Sequence, residues 1–295
     1  MLRYLLVLCG LTLLGLGLAS AQPAATTESI TVTSLKTAPQ QVVDRFIETF
    51  AAPTYSLGKM SRWEDGICPV AAGLRPAALQ FIVQRLKENA AKVSAPVNMR
   101  AKCRANIEIV FTATPQDLLD NVRKDHRVFL GYASSRAAAD RLAKVKHDIQ
   151  AWYVTATKNA RGIMKIDDAR NIGVNDDEVA FAMGAGTNWG LHTKDGQTSS
   201  LYNVIIAVNP LKLVDHEIGG IADYISFLAL SQLTSLDRCQ ALPSIVNMQV
   251  PNCAAQANEM TEADFAFLRG LYQMPLGNNL RSQKDFIRYQ MMNGR

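Results

Sequence analysis

Apolar residues recur along this chain with two periods, one helical and one of alternating strands, and their order outlines a mixed fold. Val42, Val43, Phe46, Ile47 and Phe50 fall at helical spacing, predicting a helix from about Gln40 that stops at Ala51-Ala52-Pro53. Arg75-Pro76 announces a second helix, because proline is tolerated in a first turn, and Leu79, Ile82, Val83 and Leu86 give it one core-facing side. After the Ala95-Pro96 break, residues 106–112 are rich in β-branched and aromatic side chains and predict a strand. Thr114-Pro115 then starts a helix through Leu118 and Leu119.

Residues 134–147, rich in alanine and basic residues, predict a surface helix, and Ile149 to Thr157 predicts a strand. The mixed stretch from Lys158 to Asp177 predicts a hairpin or irregular loops. Leu201 to Val208 is the clearest strand of the second half and closes at Asn209-Pro210. Ile218 to Leu233 has the length and apolar content of a buried helix. Thr261-Glu262-Ala263-Asp264 resembles a capping box leading into Phe265, Leu268, Leu271 and Tyr272, and a last helix begins near Ser282.

The first residues are of another kind. Arg3 precedes an apolar run from Tyr4 to Leu18, followed by Ala19-Ser20-Ala21, the pattern of a cleaved signal peptide over 1–21. The run is too short for a comfortable membrane span, and no second long apolar stretch follows. Residues 22–38, rich in Ala, Thr, Ser and Pro, read as a flexible tether before a single domain over 39–295, with subregions 39–148 and 149–295. The expected location is the periplasm or the extracellular space.

A charged fraction of 19% with 48% hydrophobic residues is that of a globular protein. A net charge of +5 spread along the chain gives no sign of a nucleic-acid partner.

Cysteine usage agrees with export. Cys9 leaves with the signal, and Cys68, Cys103, Cys239 and Cys253 remain. Three connectivities are open, and proximity favours Cys68 with Cys103 and Cys239 with Cys253. The first of these is expected to staple the helix after Arg75 to the strand near Ile107. Zinc binding by the four is disfavoured, because no C-x-x-C spacing occurs.

Gly184 to Gly190 superficially matches a phosphate-binding loop, but Trp189 takes the third glycine's place and no helix pattern follows, so an exposed turn is the reading. Trp63, Trp152 and Trp189 are read as core or rim residues rather than ligand platforms.

In the last eighty or so residues, a buried helix, then Leu242-Pro243-Ser244-Ile245, then Met260 through Tyr272 follow in a particular order. That order resembles the C-terminal half of metzincin-type zinc peptidases. There a helix with H-E-x-x-H-x-x-G-x-x-H precedes a P-S-[IV]-M-like turn and an L-T-x-x-D-x-x-x-L-x-x-L-Y helix. Arg62-Trp63 to Cys68-Pro69 is similar to a segment of exported metzincin-like bacterial proteins. The resemblance covers about a quarter of the chain and implies a zincin-like α+β fold, a mixed sheet with packed helices stapled by disulfides.

In the register it implies, Ala222, Ser226 and Gln232 stand at the three histidines, Asp223 at the glutamate and Ala229 at the glycine. An alanine offers zinc no donor, and without zinc no acidified water exists for Asp223 to deprotonate. A shifted motif at His216-Glu217 fails because Gly220 stands at the second ligand. His126, His147, His192 and His216 share no ligand spacing, so a metal site would have to be assembled from distant parts.

No cofactor is expected, and the first expectation is a non-catalytic, zincin-like exported protein binding a peptide or an envelope protein. A hydrolase using Asp223, Glu217 or His216 with Ser226 is an alternative, and a structural envelope protein is another. Asp223 and Tyr224 are alternatively a buried hydrogen-bonding pair that fixes the helix against the strand.

Overall fold

The computed structural model describes residues 34–100, 102–159, 161–167 and 196–294. The expected signal peptide, most of the expected tether, residues Gly184 to Gly190 with Trp189, and His192 lie outside them.

A five-stranded mixed sheet runs in the order β1-β2-β5-β3-β4. The strands are β1 (Pro69–Ala72), β2 (Ile107–Phe111), β3 (Ile149–Lys158), β4 (Met164–Ile166) and β5 (Thr198–Val208). β1, β2 and β5 are parallel, whereas β3 runs antiparallel to β5 and β4 antiparallel to β3. Seven helices accompany the sheet among the described residues: α1 (Gln40–Phe50), α2 (Pro76–Lys92), α3 (Pro115–Asp125), α4 (Arg136–Leu142), α5 (Ile218–Leu230), α6 (Glu262–Gln273) and α7 (Leu280–Asn293). The chain is thus α+β.

Strand alternation divides the core in two. Ile107, Ile109, Val204, Ile206, Val208 and Ile149 face one side, where α1, α2, α5, α6 and α7 pack in the main core. Trp152 and Ala207 face the other side and meet Leu119, Leu130 and Ala143. At the centre of the main core, Phe46, Phe50, Phe227 and Phe267 meet with ring centroids between 4.5 and 6.2 Å apart. Such contacts add about 0.5–1.5 kcal/mol each beyond burial.

Both disulfides form as proximity predicts, Cys68 with Cys103 and Cys239 with Cys253. The first does not staple a helix. Cys68 directly precedes β1 and Cys103 precedes β2, so the bond ties the entries of two paired strands, with Pro69 in register with Ile107. The strand β1 escapes sequence reading because it is four residues long and begins with proline.

Helix α4 is shorter than its alanine-rich stretch predicts. Beyond it, the Gln116 side chain takes the backbone N–H of Val145 and the Gln150 side chain that of Lys146, so these groups leave the helical ladder. Of the hairpin or irregular loops expected from Lys158 to Asp177, the described part forms a hairpin, with β4 paired at Ala156, Thr157 and Lys158, and residues 168–177 lie outside the described residues.

Candidate functional site

Helix α5 sits at the centre of the main core, and ten of its thirteen residues are buried. Its carboxylate, Asp223, accepts two hydrogen bonds from Arg85 of α2, at 2.7 and 3.0 Å. Asn89 Nδ2 and the backbone N–H of Met260 also donate to it, at 2.8 and 3.0 Å. Burial pulls the Asp223 carboxyl upward, but these donors outweigh it and hold the group below the usual carboxylate range. Asp223 therefore anchors α5 to α2 and to the start of α6, which corrects the expectation of a bond toward the strand. Tyr224 takes no part in that set, and its buried hydroxyl has no hydrogen-bond partner.

The other candidates lie apart. Ser226 is wholly buried and its hydroxyl donates back to the Ala222 carbonyl one turn earlier, at 2.7 Å. Glu217 is the exposed residue that enters α5, and His216 lines a surface cavity. Of the three positions that the resemblance aligns with histidine ligands, Ala222 and Ser226 are in the core, while Gln232 reaches a groove and accepts from Ser61 Oγ at 3.0 Å. Among the described residues no group of three or more His, Cys, Asp or Glu side chains is placed to hold a metal ion.

The C-terminus of α5 explains several aromatic residues. Its carbonyls at Leu228, Ala229 and Leu230 accept from Tyr153 Oη, Trp63 Nε1 and Tyr272 Oη, at 3.0, 2.8 and 2.9 Å. The helix end is buried, so side chains supply the donors that water would otherwise give. Neighbouring Arg62 does the same for α6, donating to the carbonyls of Leu271, Tyr272 and Met274. The Arg62-Trp63 pair thus closes the ends of two helices.

The turn and the last motif helix are joined through Asp264. Its carboxylate accepts from Ser244 Oγ at 2.5 Å and from the backbone of Ile245 and Thr261, both at 2.9 Å, and completes the capping box with Thr261. Inside the Cys239 to Cys253 loop, buried Asn247 donates to the carbonyls of Gln240, Leu242 and Ala255.

A groove of about 480 Å³ opens beside β3. Its floor is Gln150 to Tyr153, and one wall is the segment from Gln232 to Asp237 that follows α5. The lining also carries Tyr55 and Tyr132, whose rings stack 3.8 Å apart, and the basic residues Arg141, Lys144 and Lys146. Among the described residues, Asp237 is the one acidic residue of the lining.

β4 covers only the last three residues of β3, and no other described strand pairs with β3 on that side. The Asn209 N–H bonds to the Asp148 carbonyl in line with the β3–β5 register, so Gln150, Trp152 and Val154 turn their main-chain groups toward β5. Those of Ala151 and Tyr153 then point toward the groove side. Gly131 approaches the Tyr153 carbonyl so closely that a Cβ would lie 2.2 Å from it, and its φ of +90° also requires glycine.

A second cavity, of about 450 Å³, lies beyond the start of β3 and shares Lys146, His147, Leu236 and Asp237 with the groove. His147 Nε2 stands 3.5 Å from Asp237 Oδ1 on this shared wall. Sequence reading singled out neither cavity, because Tyr55, Tyr132, Lys144 and Asp237 are far apart along the chain and follow no motif.

No family model, curated protein or solved structure matches this chain.

Proposed function

We propose that this is an exported, zincin-like protein without peptidase chemistry, which binds an acidic segment of another envelope protein in the groove beside β3. The observation that carries the reading is the groove beside β3, where the outward main-chain groups of Ala151 lie between the Gly131 contact at Tyr153 and the Gln249 bond to Ile149. The Ala151 N–H and carbonyl offer a guest main chain one pair of hydrogen bonds, and the flanking side chains select its residues. Three basic side chains against one acidic one select for acidic residues in the guest.

Export is supported by the Arg3 to Ala21 pattern and by two disulfides, which persist in oxidising compartments. The zincin-like reading is supported by the order of helix, P-S-I turn and L-Y helix, which Asp264 and Asp223 connect. Loss of peptidase chemistry is supported by Ala222, Ser226 and Gln232 at the ligand positions of that register.

The test is a fluorescence anisotropy titration of the mature protein. Its probe is a short labelled peptide that alternates valine with threonine and glutamate. Saturable binding is expected, weakened at least tenfold when lysine replaces glutamate or when Ala151→Pro removes an edge N–H. Proline is tolerated on a strand edge, so thermal unfolding of that variant checks that the fold persists. Absence of binding, or binding indifferent to both changes, contradicts the reading.

A further inference from the structure

Among the described residues Tyr55 is the most exposed aromatic side chain, at 71%, yet it is fixed from several sides. The turn that carries it closes on itself: the Thr54 N–H donates to the Lys59 carbonyl and the Gly58 N–H to the Thr54 carbonyl, both at 2.8 Å. On one side of Tyr55 the Thr54 hydroxyl bonds Ser199 Oγ of β5 at 2.7 Å. On the other side the hydroxyls of Ser56 and of Thr157 in β3 bond at 3.2 Å. Buried Lys59 ends the turn and donates to the carbonyls of Gln197 and Gly277. The Tyr55 ring itself lies on Tyr132, 3.8 Å away and within 14° of parallel. Tyr132 is planted in turn by its neighbour Gly131, which sits against the Tyr153 carbonyl.

A side chain this exposed adds little buried apolar area, so the core gains little from holding it. Binding does gain, because an aromatic anchor whose rotamer is already set loses little entropy when a guest covers it. Tyr132 covers one face of the ring, which leaves the other to a guest in the groove that Tyr55 lines. The main chain of the groove narrows the choice of guest. Ala151 offers one N–H and one carbonyl, and its neighbours on that side are taken, Tyr153 by Gly131 and Ile149 by Gln249. A guest that passes Ala151 finds no further main-chain partner along β3 there, so a residue with no N–H to satisfy suits the path. Arg141, Lys144 and Lys146 disfavour a cationic guest side chain on the ring.

We infer that Tyr55 is the anchor of the groove and receives on its open face a proline of the acidic segment, close in sequence to the residue that bonds Ala151. The inference rests on the groove reading and adds to it the residue type that gives specificity. A prolyl ring packs flat on an aromatic face, and its fixed φ reduces the freedom lost on binding, which is how aromatic-lined grooves take polyproline-type segments. Carboxylates beside the proline meet the three basic side chains of the lining.

The experiment is a proline scan. Each position of the labelled valine, threonine and glutamate probe is replaced by proline in turn, and binding to the mature protein is followed by anisotropy. At one position proline is expected to tighten binding about fivefold or more, and at the position that bonds Ala151 to weaken it. The gain is expected to survive in Tyr55→Phe, which keeps the ring, and to vanish in Tyr55→Leu. Thermal unfolding of both variants is expected to stay close to the wild type, because the site is exposed.

A scan in which proline tightens binding nowhere overturns the inference and leaves the groove reading standing. A gain that persists in Tyr55→Leu overturns it too, since the proline then sits elsewhere. Phenylalanine or leucine that binds as tightly as proline at the same position makes the contact a general apolar one and overturns the choice of proline. If neither the parent probe nor any proline-bearing probe binds, the groove reading fails and takes the inference with it.

Discussion

Arg85 Nε lies 2.7 Å from Asp223 Oδ1, and this contact joins helices whose residues are 138 positions apart in the chain. Asp223 is buried while the Arg85 side chain keeps 29% of its exposure, so removing the cation leaves an unpaired charge in the core. Arg85→Ala and Asp223→Ala are each expected to cost about 3 kcal/mol or more, because breaking such a pair strands its partner. Urea denaturation of the two variants measures this. A loss within about 0.5 kcal/mol, as for a surface substitution, contradicts the anchoring role.

The same carboxylate sets a pH dependence. Its folded pKa lies below the unfolded value, so its contribution is present above about pH 4 and is lost as the pH falls through the folded value. Asp264 has the opposite sign: burial pushes it up to about 6 against the donors Ser244, Thr261 and Ile245. Its stabilising effect is complete below about pH 4 and fades as the pH rises toward about 6. From these two carboxyls the stability maximum is expected at about pH 4, with a fall toward about pH 6. Unfolding curves from pH 3 to 8 in wild type and Arg85→Ala test this, since the variant should lose much of the acid-side slope.

Helix α5 should depend on its aromatic cap. Trp63→Phe and Tyr272→Phe keep the ring and remove the donor, leaving the carbonyls of Ala229 and Leu230 buried without that bond. Each is expected to cost about 1–3 kcal/mol. The double variant should depart from additivity, because both donors close the same helix end. Thermal unfolding of the three variants checks both statements.

The two disulfides are separable. Serine pairs at Cys239 and Cys253, or at Cys68 and Cys103, should each lower stability by about 2–4 kcal/mol. Asn247 still bonds the Gln240 and Leu242 carbonyls within the 239–253 loop and that of Ala255 just beyond it, so the loop is expected to retain its shape in the first variant. Limited proteolysis distinguishes a loosened loop from a lost fold.

Purified mature protein is expected to carry zinc at well below one equivalent and to show no chelator-sensitive cleavage of casein. Stoichiometric zinc contradicts the register that sets Ala222 and Ser226 at ligand positions. Ala222→His is not expected to restore a site. That position is fully buried, and forcing a ring into it should cost about 1–3 kcal/mol by overpacking.

Much of the fold was legible because it repeats locally. The spacing of Val43, Phe46, Ile47 and Phe50 defines α1, the β-branched runs define β2 and β5, and Thr261 with Asp264 marks the start of α6. What stayed hidden depends on long-range partners. β1 exists because β2 pairs with it, and α4 stops where the side chains of Gln116 and Gln150 take over its backbone donors. Asp223 could be read as a buried hydrogen-bonding group, but nothing near it in sequence points to Arg85 as its partner. The groove is hardest of all, since Tyr55, Lys144, Ala151 and Asp237 meet only once the sheet has formed.

The most direct test of the peptide reading is amide hydrogen exchange by NMR along β3, with and without the acidic peptide. The bound segment should slow exchange at Ala151 while leaving Gln150, Trp152 and Val154 unchanged, since those already face β5. Slowing that ignores this alternation, or protection confined to another surface, would contradict binding at the β3 edge.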